Sequence, residues 1–189
     1  RAFRNLGVIF FQNEDDRNLF LERRLVTPQQ AHLLPGSGID LNHFYVTDYP
    51  PESDAPVFLM IARLLRDKGV IEYLAAARKM KAKRPNARFQ LLGAIDAANR
   101  TAIDVAIVKS WQEEGVIEYL GTADDVRPHI AAAHCVVLPS YREGAPRTLI
   151  EAAAMARPLI ATDVPGCREV VDNGETGHLC KVRDGDDLA

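Results

Sequence analysis

Two carboxylates, Glu143 and Glu151, flank the run Gly144-Ala145-Pro146-Arg147-Thr148. Carboxylates accept hydrogen bonds and suit a ligand rich in hydroxyls. Pro146 fits the first position of a helix, where its missing N–H would have no intrahelical partner anyway. Ala145 is then the predicted N-cap, with no side-chain acceptor, so the amides of Arg147 and Thr148 are left open to a phosphate or sugar oxygen. Glu151 lies five residues beyond Pro146, about 7.5 Å along a helix axis, so the two carboxylates can hold opposite ends of an elongated ligand. A second reading stays open. Thr148-x-x-Glu151 also matches a capping box, with Thr148 as N-cap and the carboxylate satisfying its backbone N–H.

The other chemical cluster is basic: Arg63, Arg66 and Lys68, followed by Gly69 and a helical pattern. Cations at a helix N-terminus oppose the macrodipole, so three gathered there call for an anion. A diphosphate would satisfy both the side chains and the free amides of the first turn. The alternative is a solvated loop with Asp67 as N-cap. A further basic run, Arg78, Lys79, Lys81, Lys83 and Arg84, falls in the last turns of the same predicted helix, where cations complement the dipole. It reads as a solvated face, with a membrane or partner contact as the other option.

Both clusters must be placed by elements that alternate strand and helix. The predicted strands are Val57 to Ala62, Phe89 to Gly93, Val116 to Leu120, Cys135 to Leu138 and Leu159 to Ala161. The predicted helices are Gly69 to Arg84, Thr101 to Glu114, Asp125 to Ala133 and Pro146 to Ala156. This pattern specifies an α/β fold, a Rossmann-like doubly wound parallel sheet with helices on both faces. Ligands bind such sheets beyond the carboxyl ends of the strands, which is where both clusters fall. Ahead of them, Gly7 to Phe11, Asp15 to Leu25 and His32 to Leu34 form a strand-helix-strand unit. Asp184 to Ala189 reads as a helix start.

The 189 residues are 47% apolar, enough for one sizeable core, and 23 Lys+Arg against 26 Asp+Glu give a net charge of −3. That balance excludes a disordered chain and a nucleic-acid clamp built on bulk positive charge. No apolar run approaches the length of a membrane span, so a cytoplasmic protein is expected. The three cysteines, Cys135, Cys167 and Cys180, read as reduced.

Glu143-x7-Glu151, with Ala-x-Ala-Met-Ala after it and then Pro158-Leu-Ile-Ala-Thr-Asp-Val-Pro-Gly166, resembles the E-x7-E region of retaining glycosyltransferases of family 4, enzymes of the GT-B fold. Ala62-Arg63-Leu-Leu-Arg-Asp-Lys68-Gly69 is similar to that family's G-R-L-x-x-x-K-G segment. The resemblance implies that residues 36–189 are a nucleotide-sugar donor domain, truncated at its C-terminus, and that 1–35 are a remnant of the acceptor domain with its hinge. It assigns Arg63 and Lys68 to the donor diphosphate, Glu143 to the sugar hydroxyls and Glu151 to the ribose diol. The Gly144, Ala145, Pro146, Arg147 and Thr148 backbone would line sugar and phosphate, and the Gly121 to Val126 loop, Thr122 included, would border the base.

Wording such as Arg-Glu-Gly-x-Pro-Arg-Thr-Leu is similar to bacterial transferases that build polysaccharide or lipid-linked oligosaccharide, including lipopolysaccharide. The expected activity is therefore transfer of a hexose or N-acetylhexosamine from a UDP-sugar to a saccharide or polyprenyl-linked acceptor, without metal or other cofactor. The parent enzyme could touch the inner face of the membrane, and the chain alone would act as a nucleotide-sugar-binding module. An NAD-dependent oxidoreductase is disfavoured, because cations replace the Gly-rich fingerprint after the first core strand. The sequence departs from the family pattern at Ala62, where Gly is usual, and at Ala156-Arg157, in place of Ala-x-Gly; Arg157 reads as structural.

The remaining signals are weak. His32, His43, His129, His134 and His178 lack metal-site spacing. Asp184-x-Asp186 reads as a solvated turn, Gly36-Ser-Gly38 as a hinge and Asp172-Asn-Gly174 as a tight turn. Cys167 lies near the expected sugar pocket but has no His partner in sequence, so it is not expected to be a nucleophile.

Overall fold

A computed structural model describes residue 3 and residues 5–189. Within it, β1 (Ile9–Phe11), α1 (Glu14–Glu22) and β2 (Ala31–Leu33) form a small parallel two-stranded unit. A connection without regular elements leads to β3 (Val57–Ile61), a single 3-10 turn (Arg66–Lys68), α2 (Val70–Lys83) and β4 (Arg88–Leu92). Then come α3 (Val105–Glu113), β5 (Glu118–Gly121), α4 (Arg127–Ala132), β6 (Cys135–Leu138), α5 (Arg147–Ala154), β7 (Leu159–Thr162), β8 (Gly177–Cys180) and α6 (Gly185–Leu188).

Strands β3 to β8 make one sheet in the order β5-β4-β3-β6-β7-β8, parallel at every pairing. This is the doubly wound order, and the direction of winding reverses between β3 and β6. Side chains alternate across the sheet. Leu59, Leu92, Val136 and Leu138 face a core closed by Ile130 of α4 and Leu149, Ala152 and Met155 around α5. Met60, Leu91 and Val137 face a second core closed by Val70, Tyr73 and Leu74 of α2 and Val108 and Trp111 of α3. Strands buried on both faces explain why the sequence shows short continuous apolar runs instead of a two-residue alternation.

Several boundaries differ from the sequence reading for local reasons. Helix α3 starts at Val105 because Asp104 caps it, its carboxylate accepting from the Ala106 amide at 2.7 Å. Val116 and Ile117 are buried in the turn before β5, where the Val116 amide bonds the Trp111 carbonyl. Strand β8 escaped the sequence reading. It is an edge strand that opens with a glycine packed so closely on Leu159 that a Cβ there would strike the Leu159 carbonyl.

Candidate functional site

The reversal point brings the two chemical clusters together. The chain leaves β3 through Arg63 to Gly69 and leaves β6 through Ser140 to Pro146, and these two loops are neighbours because β3 and β6 are. Gly69 makes the approach possible. It adopts φ +77°, and a Cβ on it would collide with the Pro139 carbonyl. The Tyr141 amide and Ser140 hydroxyl then donate to the Asp67 carbonyl, at 2.9 and 3.2 Å. Tyr141 also donates its hydroxyl to Glu72 at 2.8 Å, with the Arg183 guanidinium 4.6 Å above its ring.

At the centre, Lys68 Nζ lies 2.6 Å from Glu143 Oε1, with side-chain exposures of 24% and 12%. One helical stretch further on, Glu151 is buried at 9% exposure and lies 3.3 Å from Arg147 Nη2, an exposed side chain. Burial raises the Glu151 carboxyl above the usual carboxylate range, and the Arg147 charge partly opposes it. The site thus pairs a cation and a carboxylate that touch with a second carboxylate whose charge is only partly compensated.

Three corrections concern how the helices begin. The N-cap of α5 is Pro146, not Ala145, and Arg147 is its first residue. Its first bonds run from Leu149 and Ile150 to the Pro146 carbonyl, so the Arg147 and Thr148 amides have no partner among the described residues. Thr148 is no N-cap: it sits inside the helix and donates its hydroxyl to the Ile61 carbonyl at 3.2 Å, which removes the capping box. Asp67 is no N-cap either, because the 3-10 turn carries it and Gly69 precedes α2 without a side-chain cap. Helices α2 and α5, which follow the two loops that carry Lys68 and Glu143, therefore both start without a side-chain cap.

The other expected residues lie around this centre. Arg63 is exposed and turned to Asp96, at 3.3 Å, a partner invisible in sequence. Arg66 is exposed and makes no ion pair among the described residues. Thr122 is exposed and Val126 half-buried in the loop after the edge strand β5, and no hydrogen bond among the described residues links them to the Lys68–Glu151 group. Gly36 and Gly38 have φ of +65° and +67°, and the segment Ser37 to Phe44 borders an open cleft with Arg147. Ala62 carries no positive φ, so the departure from glycine there is conformationally free, whereas Ala156 sits at φ +57°.

Side chains set aside in the sequence have structural duties. Arg157, 3% exposed, donates to the carbonyls of Ile130, Ala131, Thr47 and Asp48, so it caps α4 and ties the connection before β3 instead of serving α5. His134 accepts from the Val57 amide at 3.1 Å. Asp184 caps α6, accepting from the Asp186 and Asp187 amides. In the basic run of α2, Arg78 pairs with Glu114, Lys79 with Asp186, and Lys81 bonds the Gly115 carbonyl. Burial pushes the Cys167 thiol up to about 12, which keeps it protonated. No helix among the described residues is long and apolar enough to cross a membrane.

An N,N'-diacetylbacillosaminyl-diphospho-undecaprenol alpha-1,3-N-acetylgalactosaminyltransferase from Campylobacter jejuni is 34% identical over 134 residues, covering 71% of this chain and 34% of that protein. A putative colanic acid biosynthesis glycosyltransferase, WcaL, from Salmonella typhimurium is 28% identical over 170 residues, covering 86% of this chain and 41% of that protein. Among solved structures, a sucrose-phosphate synthase from Thermosynechococcus elongatus aligns with a TM-score of 0.79 at 27% identity, over 98% of this chain and 48% of that one. Anabaena Alr3699/HepE in complex with UDP-glucose shares the fold, with a TM-score of 0.83 at 20% identity over 100% of this chain and 53% of that one. The chain thus spans about a third to a half of the length of the proteins it matches. The model of the family described as glycosyl transferases group 1 matches residues 55–189, the sheet with both chemical loops, and to that family the chain belongs.

Proposed function

We propose that the chain binds a UDP-sugar at the β3/β6 reversal point and is the donor-binding part of a retaining enzyme that transfers a hexose or N-acetylhexosamine. The observation that carries this reading is the contact between Lys68 and Glu143 beside two uncapped helix N-termini. A diphosphate can take over Lys68 and the first-turn amides, which frees Glu143 for sugar hydroxyls. Glu151, one turn beyond Arg147 on α5, is the acceptor for the ribose diol. Arg63 leaves Asp96 to meet the diphosphate, and the Thr122 to Val126 loop borders the base. The similarity to a transferase named for an undecaprenol-linked saccharide and to one named for colanic acid biosynthesis supports a saccharide or polyprenyl-linked acceptor.

In the reaction, the acceptor hydroxyl attacks the anomeric carbon from the face the diphosphate leaves. The new C–O bond forms as the C–O bond to phosphate breaks, and the acceptor's proton passes to a phosphate oxygen. Lys68, Arg63 and the amides at the start of α2 and α5 stabilise the charge that grows on the leaving diphosphate. Titration calorimetry of the chain with UDP, GDP, ADP and NAD tests the reading. UDP should bind and NAD should not, and a chain that prefers NAD overturns it.

A further inference from the structure

Asn13 is a polar side chain with 1% exposure that bridges positions 131 residues apart. Its Oδ1 accepts from the Asp16 amide at 2.8 Å and so caps α1. Its Nδ2 donates to the Gly144 carbonyl at 3.1 Å and to Asp16 Oδ2 at 3.2 Å. Capping alone does not select asparagine, since Ser and Asp cap about as well. The amide donor aimed at Gly144 is what those two residues lack.

The surroundings reinforce this contact. Arg142, next to Glu143, pairs with Asp16, and Arg168 pairs with Asp15 at 3.0 Å as well as with Asp163. Gly144 faces Gln12 so closely that a Cβ on it would strike the Gln12 amide oxygen. From the other side comes Gly166, at φ +80°, where a Cβ would strike the carbonyls of Gly144 and Glu143. The peptide that carries Glu143 is therefore held between Gln12-Asn13 and Gly166.

We propose that Asn13 is a positioning residue for the donor sugar: by fixing the Gly144 carbonyl it orients Glu143, so helix α1 shapes the donor site from outside the six-stranded sheet. The proposal rests on the reading that Glu143 receives the sugar. Asn13→Ser and Asn13→Asp each keep a capping acceptor and remove the amide donor. Hydrogen exchange of the chain should show the Tyr141 amide, bonded to the Asp67 carbonyl at the start of this loop, exchanging about three- to tenfold faster in both variants while α1 keeps its protection. UDP-N-acetylglucosamine should bind about three- to tenfold more weakly, and UDP alone about equally well. Faster exchange in α1 with Tyr141 unchanged would reduce Asn13 to a cap and overturn the proposal. Faster exchange at Tyr141 with an unchanged ratio of UDP-sugar to UDP affinity overturns its role toward the sugar. A parent chain that binds neither ligand refutes the donor-binding reading, and the sugar role with it, while the exchange result still decides whether Asn13 holds the loop.

Discussion

Replacing Lys68 by methionine and Glu143 by glutamine should separate what the pair does for the fold from what it does for a ligand. At 2.6 Å the gross attraction is about 6 kcal/mol for an effective dielectric of 20. Taking both groups partly out of water offsets most of it. In Lys68→Met the Glu143 carboxylate, 12% exposed, loses its cation, which costs about 1–3 kcal/mol. For a chain of this size that is a fall in Tm of about 3–10 °C. The double variant should recover part of the loss, because no uncompensated charge remains. UDP affinity should follow a different order. Lys68→Met removes a charge-assisted bond to the diphosphate and should weaken UDP about 10- to 150-fold. Glu143→Gln removes the competitor for Lys68 and a like charge near the ligand, so UDP should bind equally well or up to about tenfold tighter. Thermal unfolding and calorimetry in one buffer near neutral pH read both quantities. UDP binding to Lys68→Met within about threefold of the parent would refute the argument, as would a Glu143→Gln variant weaker for UDP than Lys68→Met.

Two further substitutions test the flanks of the site. Ala156→Gly relieves a left-handed residue at φ +57°, worth about 1 kcal/mol and partly offset by the freer unfolded chain, so Tm should rise by about 1–4 °C; a fall would contradict the backbone reading. Glu151→Gln should stabilise the free chain near neutral pH and weaken UDP about 10- to 150-fold. The sign follows from burial, which raises the carboxyl in the folded state: ionisation costs stability in full above the folded pKa, and the cost shrinks as pH falls through that value and is gone below the unfolded pKa. The variant and parent should therefore converge in Tm on acidification, and a variant less stable than the parent at neutral pH would refute the assignment.

How much of this was legible depended on the range of the interaction. The strands could be read because burial on both faces demands short β-branched and aliphatic runs, and Cys135–Leu138 has the expected bounds. Lys68 and Glu143 could each be placed beyond a strand, but not against each other, because their contact depends on β3 lying next to β6. Local capping rules misled at Thr148 and Asp67, since a tertiary acceptor, the Ile61 carbonyl, and a 3-10 turn ending in Gly69 decided those positions. Asn13 was not singled out in the sequence, because nothing there points across to Gly144.

The distribution of caps carries an argument of its own. Helices α1, α3 and α6 are closed by Asn13, Asp104 and Asp184, each accepting from amides of the first turn. Helix α4 has its first amide, that of Arg127, bonded to the Asp125 carboxylate at 3.0 Å, whereas α2 and α5 start at Gly69 and Pro146 without a side-chain cap. Those two follow β3 and β6, so their N-termini flank the point of winding reversal where the doubly wound fold receives ligands. A missing cap forgoes about 1 kcal/mol of helix stability. Forgoing it at the two helices that flank the reversal point, while the other helices have a carboxylate or amide oxygen on a first-turn amide, is what that point needs if oxygen atoms of a bound molecule complete the first turns. Lys68 stands one residue ahead of Gly69, where a cation is unfavourable to the helix unless an anion joins it, and in the free chain Glu143 supplies that anion.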